Sequence, residues 1–423
     1  MEGGTVPYGA NLPDGWGTSP LKYLASLTNG YVFNSQDWKE HGTPIIRIEN
    51  LNGSRDFNYS DSELGANYRI TKGDLLFSWS GNPGTSFGPF RWALPGDFYL
   101  NQHIFRMGVF GCDKDWLFWA LKAATHWIER ELTSGMIGMV HVTKEDLKNV
   151  PIPIPPLDEQ RRIADFLDAE MARIDQLSAL QGKVLEHLEE RDRAHRDGLL
   201  DALAGAVGEV PFRRFITRIE QGESPQCDSA PRDANEWGVL KLSSVKKGIF
   251  NPVENKRLPD GVEPKREYEA RFGDLLVTRA NTPSLVGDVA VVGEGANRLM
   301  LPDLIYRVGL DSSLAPEFVT QVALGSRVRL FIEAAARGSS QSMVKLRSED
   351  IREWPIPAAT RDRQKSLLRE LGQSSSVSEA LRSNCQRQLV LLAERRQALL
   401  TAAVTGQFDV TSASRSTPSG GIA

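Results

Sequence analysis

Two short stretches carry side chains suited to reading a planar hydrogen-bonding surface, and they stand in matching places. Gly73-Asp74-Leu75-Leu76 leads into Trp79-Ser80-Gly81-Asn82-Pro83. Two hundred residues on, Gly273-Asp274-Leu275-Leu276 leads into Arg279-Ala280-Asn281-Thr282-Pro283. Glycine and aspartate suit a tight turn, and the leucines behind them enter a core as a strand. A strand that repeats while the loop behind it changes fits recognition chemistry on a rigid frame. The Arg279 fork can meet the two acceptors of guanine, and the amide of Asn82 or Asn281 can pair with adenine. Ser80 adds a hydroxyl. The plainer reading is that Trp79 is a core residue and the asparagines shape turns.

Further candidates flank these loops. Pro44 to Leu51 reads as a strand with Ile46 and Ile48 pointing one way and Arg47 and Glu49 the other. Its counterpart, Gly238 to Val245, points Leu240 and Leu242 inward and Lys241 and Ser243 outward. A cation at the same outward position fits a strand that faces phosphate, and equally a solvated face. Asn101-Gln102-His103 stands before the strand Ile104 to Met107, and Lys345 follows the second small-residue loop, so these join the candidate contacts. A helix is expected over Asp115 to Leu132 with Trp116, Trp119, Trp127 and Ile128 on or near its buried face, and a second over Pro316 to Ala336. The loops behind them, Thr133 to Gly138 and Arg337 to Ser342, have small hydroxyl-bearing residues that can follow a nucleic-acid backbone or merely connect elements.

Catalytic chemistry finds little footing. There is no Asn- or Asp-Pro-Pro-aromatic tetrapeptide for amino methylation and no Gly-x4-Gly-Lys-Ser/Thr for nucleotide phosphates. Gly293-Glu294-Gly295 reads as a turn, and Asp260 with Glu263 is a weak echo of a metal-dependent nuclease in a Pro/Gly turn. The six histidines lack metal-ligand spacing, and the three cysteines, Cys112, Cys227 and Cys385, form no Cys-x-x-Cys. No metal site is expected. Odd, scattered cysteines and the lack of an apolar run of ~20 residues point to a reduced, cytoplasmic protein outside the membrane.

The elements that must position these residues repeat with them. Val-Pro-Ile-Pro-Ile-Pro-Pro, from Val150, holds the chain extended, and Asp158 is expected to cap a long helix. Ile163, Leu167, Met171, Ile174, Leu177, Val184 and Leu188 form its apolar stripe. Pro355-Ile356-Pro357 repeats the entry at a shift of 204, Thr360 or Asp362 serves as cap, and a second helix follows. Ile163, Leu167, Ile174 and Leu188 are expected to pair antiparallel with Leu392, Leu389, Leu381 and Leu371. Residues 1–150, 151–208, 209–357 and 358–423 carry net charges of −3, −5, 0 and +4 within a total of −4. The first helix is therefore acidic and the second basic, which favours their pairing. The near-neutral globular parts argue mildly against strong nucleic-acid binding by the chain alone.

The ordered duplication resembles the specificity subunit of type I restriction–modification enzymes. The residues that carry the resemblance are Pro151 to Gln160 with Ile163-Ala164, both Gly-Asp-Leu-Leu strands, Gly338-Ser339-Ser340-Gln341 and Ala402 to Gly406. The resemblance implies an α+β fold: two mixed target-recognition domains, pseudo-two-fold, held by two long antiparallel helices. The domains expected are 1–150, a spacer helix over 151–208, 209–357, a second spacer over 358–410 and a disordered tail over 411–423. It implies a non-catalytic chain that binds double-stranded DNA at a bipartite site, one half-site per domain. It makes the second of the two small-residue loops, through Ser339, Ser340 and Gln341, the better DNA contact. Two methyltransferase subunits and two motor–nuclease subunits would be its partners. S-adenosylmethionine, ATP and Mg2+ would belong to them, and this chain would bind no cofactor. A coiled-coil protein scaffold, or a nuclease around Asp260 or Asp274, remains the alternative.

Overall fold

The computed structural model describes residues 12–34, 36, 38–132, 139–227, 229–283, 285–336, 344–408 and 410. The expected loops at 133–138 and 337–342, with Ser339, Ser340 and Gln341, and the tail at 411–423, fall outside them. The described helices are α1 (Ile48–Leu51), α2 (Lys114–Glu131), α3 (Lys144–Lys148), α4 (Leu157–Val207), α5 (Pro316–Leu324), α6 (Ser326–Ala336), α7 (Ser348–Arg352) and α8 (Arg361–Val404). The chain divides into unit one, Met1–Gln181 with Arg387–Ala423, and unit two, Gly182–Gln386. The division cuts both long helices, so each unit is a globular part on a segment of α4 and a segment of α8.

The duplication seen in the sequence is a duplication of topology. Unit one has an antiparallel sheet ordered Ala25–Asn29, Ile104–Val109, Leu75–Ser78, Gly88–Arg91. Unit two repeats it as Ile216–Gln221, Ile305–Leu310, Leu275–Thr278, Val289–Val291. Each unit adds a smaller sheet with one parallel pair, Thr43–Ile46 beside Phe98–Leu100 and Gly238–Leu240 beside Leu299–Met300. The proline-rich entries form two-stranded ribbons, Pro151–Ile154 on Gly17–Pro20 and Pro355–Pro357 on Glu209–Pro211. Prolines are tolerated there because a two-stranded ribbon leaves one edge free of ladder bonds.

The repeated Gly-Asp-Leu-Leu has a physical reason in both copies. Gly73 and Gly273 take φ of 91° and 87°, a left-handed turn that a side chain resists. Asp74 then accepts from the Thr71 amide at 2.8 Å, and Asp274 from the Arg271 amide at 2.9 Å. Each carboxylate also pairs with an arginine of the neighbouring strand, Arg106 at 3.3 Å and Arg307 at 3.2 Å. The two leucines behind are buried in each copy.

The glutamine of the entry repeat is a clamp. Gln160 accepts from the Asp113 amide at 2.8 Å and donates to the Pro155 carbonyl at 2.8 Å. Gln364 accepts from the Ala315 amide at 2.9 Å and donates to the carbonyls of Ser313 and Ala359. Each ties the start of a long helix to the start of the helix that covers its sheet.

Within each unit the two long helices run antiparallel. In unit one Phe166 meets Phe408, while further along Asp175 pairs with Arg396. Ile163, Leu167, Met171 and Ile174 share a core with Leu400, Ala403 and Val404. In unit two Leu200 shares a core with Leu367 and Leu371, and earlier on α4 Asp192 meets Ser378 and Arg382. Burial alone would raise the Asp192 carboxyl. The hydrogen bonds from Ser378, Arg382 and Arg191 outweigh it and hold the group below its usual value. The acidic-on-basic pairing read from composition thus takes the form of Glu170–Arg395, Asp175–Arg396 and Asp192–Arg382.

Several expectations are corrected. Of the eight pairing residues, Ile163, Leu167, Ile174, Leu188 and Leu371 are buried and Leu389 and Leu392 half-buried, but Leu381 is 42% exposed. Ser378 and Cys385 face inward around it, because the buried rows of α8 recur at seven residues and Leu381 falls between them. Leu177 and Val184 likewise leave the stripe, at 41% and 43% exposed. Asp158 is not the cap of α4. The helix begins at Leu157, the amides of Glu159 and Gln160 donate to Pro156 O, and Asp158 sits in the first turn. The strand expected to Leu51 ends at Ile46, and α1 follows with Arg47 as its cap, so the alternation of Ile46 with Ile48 does not occur. The single helix expected over Pro316 to Ala336 breaks at Gly325. There a Cβ would lie 2.9 Å from Leu200 Cδ1, and Asp197 accepts from the Ser326 amide at 2.9 Å, starting α6 afresh.

Candidate nucleic-acid interface

The two Gly-Asp-Leu-Leu strands deliver residues 79 and 279 into the same local frame. The Trp79 amide donates to His103 O and the Arg279 amide to Leu304 O. The Val142 amide donates to Trp79 O at 3.0 Å, and the Leu346 amide to Arg279 O at 2.7 Å. The side chains are held alike as well. The Trp79 indole N–H donates to Gln102 O at 2.9 Å, and Arg279 Nη1 reaches Asp303 O at 3.4 Å. Trp79 packs on Phe105 with ring centres 6.0 Å apart, and the Arg279 guanidinium sits 5.9 Å from the centre of the Tyr306 ring. A short ribbon closes each frame, pairing Ser80 with His141 and Ala280 with Lys345.

What the frame presents differs between the units. In unit two the half-buried Arg279 and the exposed Lys345 are both cations. Among the described residues the guanidinium makes one long hydrogen bond, to Asp303 O. Asn281 is half-buried, and its carbonyl oxygen accepts from the Thr282 amide at 2.9 Å. In unit one the equivalents are an indole whose N–H is already bonded and an exposed imidazole, His141. His103 packs 5.4 Å from Trp79. Burial, with His141 adding to it, lowers the His103 pKa, which favours the uncharged ring. Among the described residues, His103 Nδ1 and Gln102 Oε1 are buried without hydrogen-bond partners. Buried polar atoms of that kind mark a place where a ligand group or water completes the bonding.

Of the sequence candidates, the structure gathers Ser80, Gln102 and His103 around Trp79, with the exposed Asn82 beyond Gly81. Ser80 is 3% exposed, and its hydroxyl points to the Met139 sulfur at 3.9 Å, so its role is within the ribbon. Asn101 joins the group to Arg47, since its amide donates to Ile46 O at 3.0 Å. Arg47 itself is held by Asn58 at 2.6 Å, Glu49 at 3.1 Å and the Trp38 ring at 5.0 Å. Arg279, Asn281 and Lys345 come together in unit two. The strand expected over Gly238 to Val245 ends at Leu240, Lys241 caps a single 3-10 turn over Leu242–Ser244, and Ser243 in that turn donates to Glu254 at 2.6 Å, so the expected alternation does not occur. Sequence reasoning missed His141, Lys144 and Tyr306. The shift of 204 that aligns the proline entries also aligns His141 with Lys345, and that signal was available. Lys144, 5.7 Å from the Phe105 ring, had no such marker.

Asp274 is spent on the Arg271 amide and Arg307, and among the described residues no group of three His, Cys, Asp or Glu could hold a metal ion. The Cys112 thiol is pushed up to about 12 by burial and by Asp113, far from a nucleophile. Among the described residues no helix is long and apolar enough to cross a membrane.

Residues 13–187 match the family described as the type I restriction modification DNA specificity domain. The EcoEI specificity subunit of Escherichia coli is 29% identical over 182 residues, covering 43% of this chain and 30% of that protein. That match thus spans less than a third of the relative. The EcoKI specificity subunit of E. coli strain K12 is 22% identical over 441 residues, covering 94% and 90%. A chain from a structural study of assembly and conformational transition in a type I restriction–modification system superposes with a TM-score of 0.65 at 17% identity. It covers 94% of this chain and 100% of that one, a likeness of fold. Residues 13–187 are thus similar to the type I restriction modification DNA specificity domain, and 94% of the chain is similar to a type I restriction enzyme specificity subunit.

Proposed function

We propose that this chain is the recognition subunit of such a system and reads a bipartite double-stranded DNA target, one half-site per unit. The observation that carries the reading is the pair of identical frames with exchanged side chains, Trp79 with His141 against Arg279 with Lys345. A frame fixed by backbone hydrogen bonds, with variable planar and charged groups on it, is what sequence readout requires. Arg279 is the guanine reader in unit two, steadied by Tyr306. Unit one reads through Asn82, Gln102 and the imidazoles of His103 and His141, whose ring nitrogens donate or accept according to tautomer.

The chain acts through partners and is itself non-catalytic. Two methyltransferase subunits dock on the long helices, and two motor–nuclease subunits complete the complex. S-adenosylmethionine, ATP and Mg2+ belong to those partners. In support, the helices expose apolar side chains that water does not favour: Leu177, Leu180, Val390 and Leu391 in unit one, and Val184, Val377 and Leu381 in unit two.

The test is Arg279→Ala in the chain assembled with its methyltransferase. Losing one bidentate base contact weakens target binding by about 1–3 kcal/mol, roughly 5- to 150-fold, and relaxes preference at one base pair. Binding is read by fluorescence anisotropy on target and single-substituted duplexes. An equal loss on every sequence would make Arg279 a phosphate contact. No loss at all would remove it from the interface.

A further inference from the structure

One place on the main sheets is filled in unit two and open in unit one. In unit two, Arg307 stands opposite Glu220 and Gly309 opposite Arg218. Glu220 accepts from Arg307 Nε at 2.9 Å and pairs with Arg218 at 3.3 Å. Arg218 lies over Gly309 so closely that a Cβ there would be 2.8 Å from its Cγ. In unit one the same register sets Arg106 opposite Thr28 and Gly108 opposite Ser26. Two short side chains replace a long anion and a long cation. The space left is a cleft of about 400 Å³ lined by Ser26, Thr28, Asn67, Asp74, Arg106 and Lys114.

The exchange also changes the charge. Arg218 and Arg307 balance Glu220 and Asp274 in unit two. In unit one Arg106 and Lys114 face Asp74 alone, leaving one positive charge in excess. Lys114, whose amine donates to Gly73 O at 2.8 Å, begins α2, where the corresponding helix of unit two begins with Pro316. Arg106 donates to Ala66 O and to Asp74, each at 3.3 Å, and its Nε has no hydrogen-bond partner among the described residues. In unit two that same nitrogen is the one the Glu220 carboxylate takes.

We propose that this cleft binds a small carboxylate-bearing ligand, one carboxylate standing to Arg106 as Glu220 stands to Arg307. An arginine edge matches a carboxylate in shape and charge, and Lys114 favours a second acidic group on the same molecule. Ser26, Thr28 and Asn67 supply donors and acceptors for the rest, and the volume is that of a small-molecule site. Asp74 precedes the strand Leu75–Ser78 and Trp79 follows it, so the cleft and the DNA-reading loop lie at opposite ends of one strand.

The experiment is isothermal titration of the full chain with citrate, and separately with inorganic phosphate, at ionic strength held constant with chloride. Citrate binds saturably to the wild type. It binds at least ~tenfold more weakly to Arg106→Gln and to Thr28→Glu, the latter carrying its own carboxylate into the site. Thermal unfolding of Thr28→Glu checks that it is folded. Absence of saturable citrate binding to the wild type, or equal citrate binding by Thr28→Glu, overturns the proposal. So does phosphate binding that responds to both substitutions where citrate does not.

Discussion

Replacing Arg307 by methionine should lower the unfolding free energy by about 3–5 kcal/mol, the cost of leaving buried ionic partners uncompensated. Its side chain is 5% exposed and serves four acceptors: Glu220, Asp274 and the carbonyls of Glu267 and Glu269. Methionine fills the volume and donates to none of them. The matching change in unit one, Arg106→Met, should cost about 0–1 kcal/mol. Arg106 is a third exposed, pairs with one carboxylate and borders an open cleft. Chemical denaturation of the purified chains measures both. Near-equal losses would mean that the environments of the two arginines do not differ energetically, and the contrast between the filled and open sites would fail with them.

Exchanging Val210 to Glu353 for the same segment of a relative with another specificity should replace one half of the methylated sequence and leave the other half untouched. The exchange carries Arg279, Asn281, Tyr306 and Lys345, while Trp354 and the ribbon strand Pro355–Pro357 stay behind. Phe212 stacks on Trp354 with ring centres 6.0 Å apart and should be retained in the donor segment so that the junction packs. Specific sites are typically bound 10³–10⁷-fold more tightly than non-specific DNA. The new half-site should therefore dominate genome-wide mapping of methylated adenine. A change in both halves, or in neither, would refute one reader per unit.

The architecture was legible because it depends on short-range signals that the duplication repeats. Proline before a helix, glycine and aspartate at a turn, and apolar spacing along a helix act within a few residues. Their recurrence at shifts of 200 and 204 therefore revealed two copies of one module. The details that failed depend on a partner far away in sequence. Leu381 has the right spacing to be buried, yet the row facing α4 runs through Ser378 and Cys385 because Asp192 and Arg191 claim Ser378. Gly325 breaks a helix that its own sequence would continue, because Leu200 and Asp197 of α4 meet it there.

The sequence by itself determined the duplicated plan, the paired helices of opposite charge and the loops where the copies diverge. Tertiary structure alone decided which of those loop residues share a site. Trp79 and Arg279 differ in charge and in ring character. The shift of 200 sets them opposite each other in sequence, and the carbonyls of Gln102 and Asp303 and the rings of Phe105 and Tyr306 show that their side chains are held in one way. The open cleft beside Arg106 was hidden in the sequence. Thr28 is an ordinary strand residue until cross-strand register sets it where the other copy has Glu220. Register is fixed by the packing of whole faces across distant strands, and no local run of residues records it.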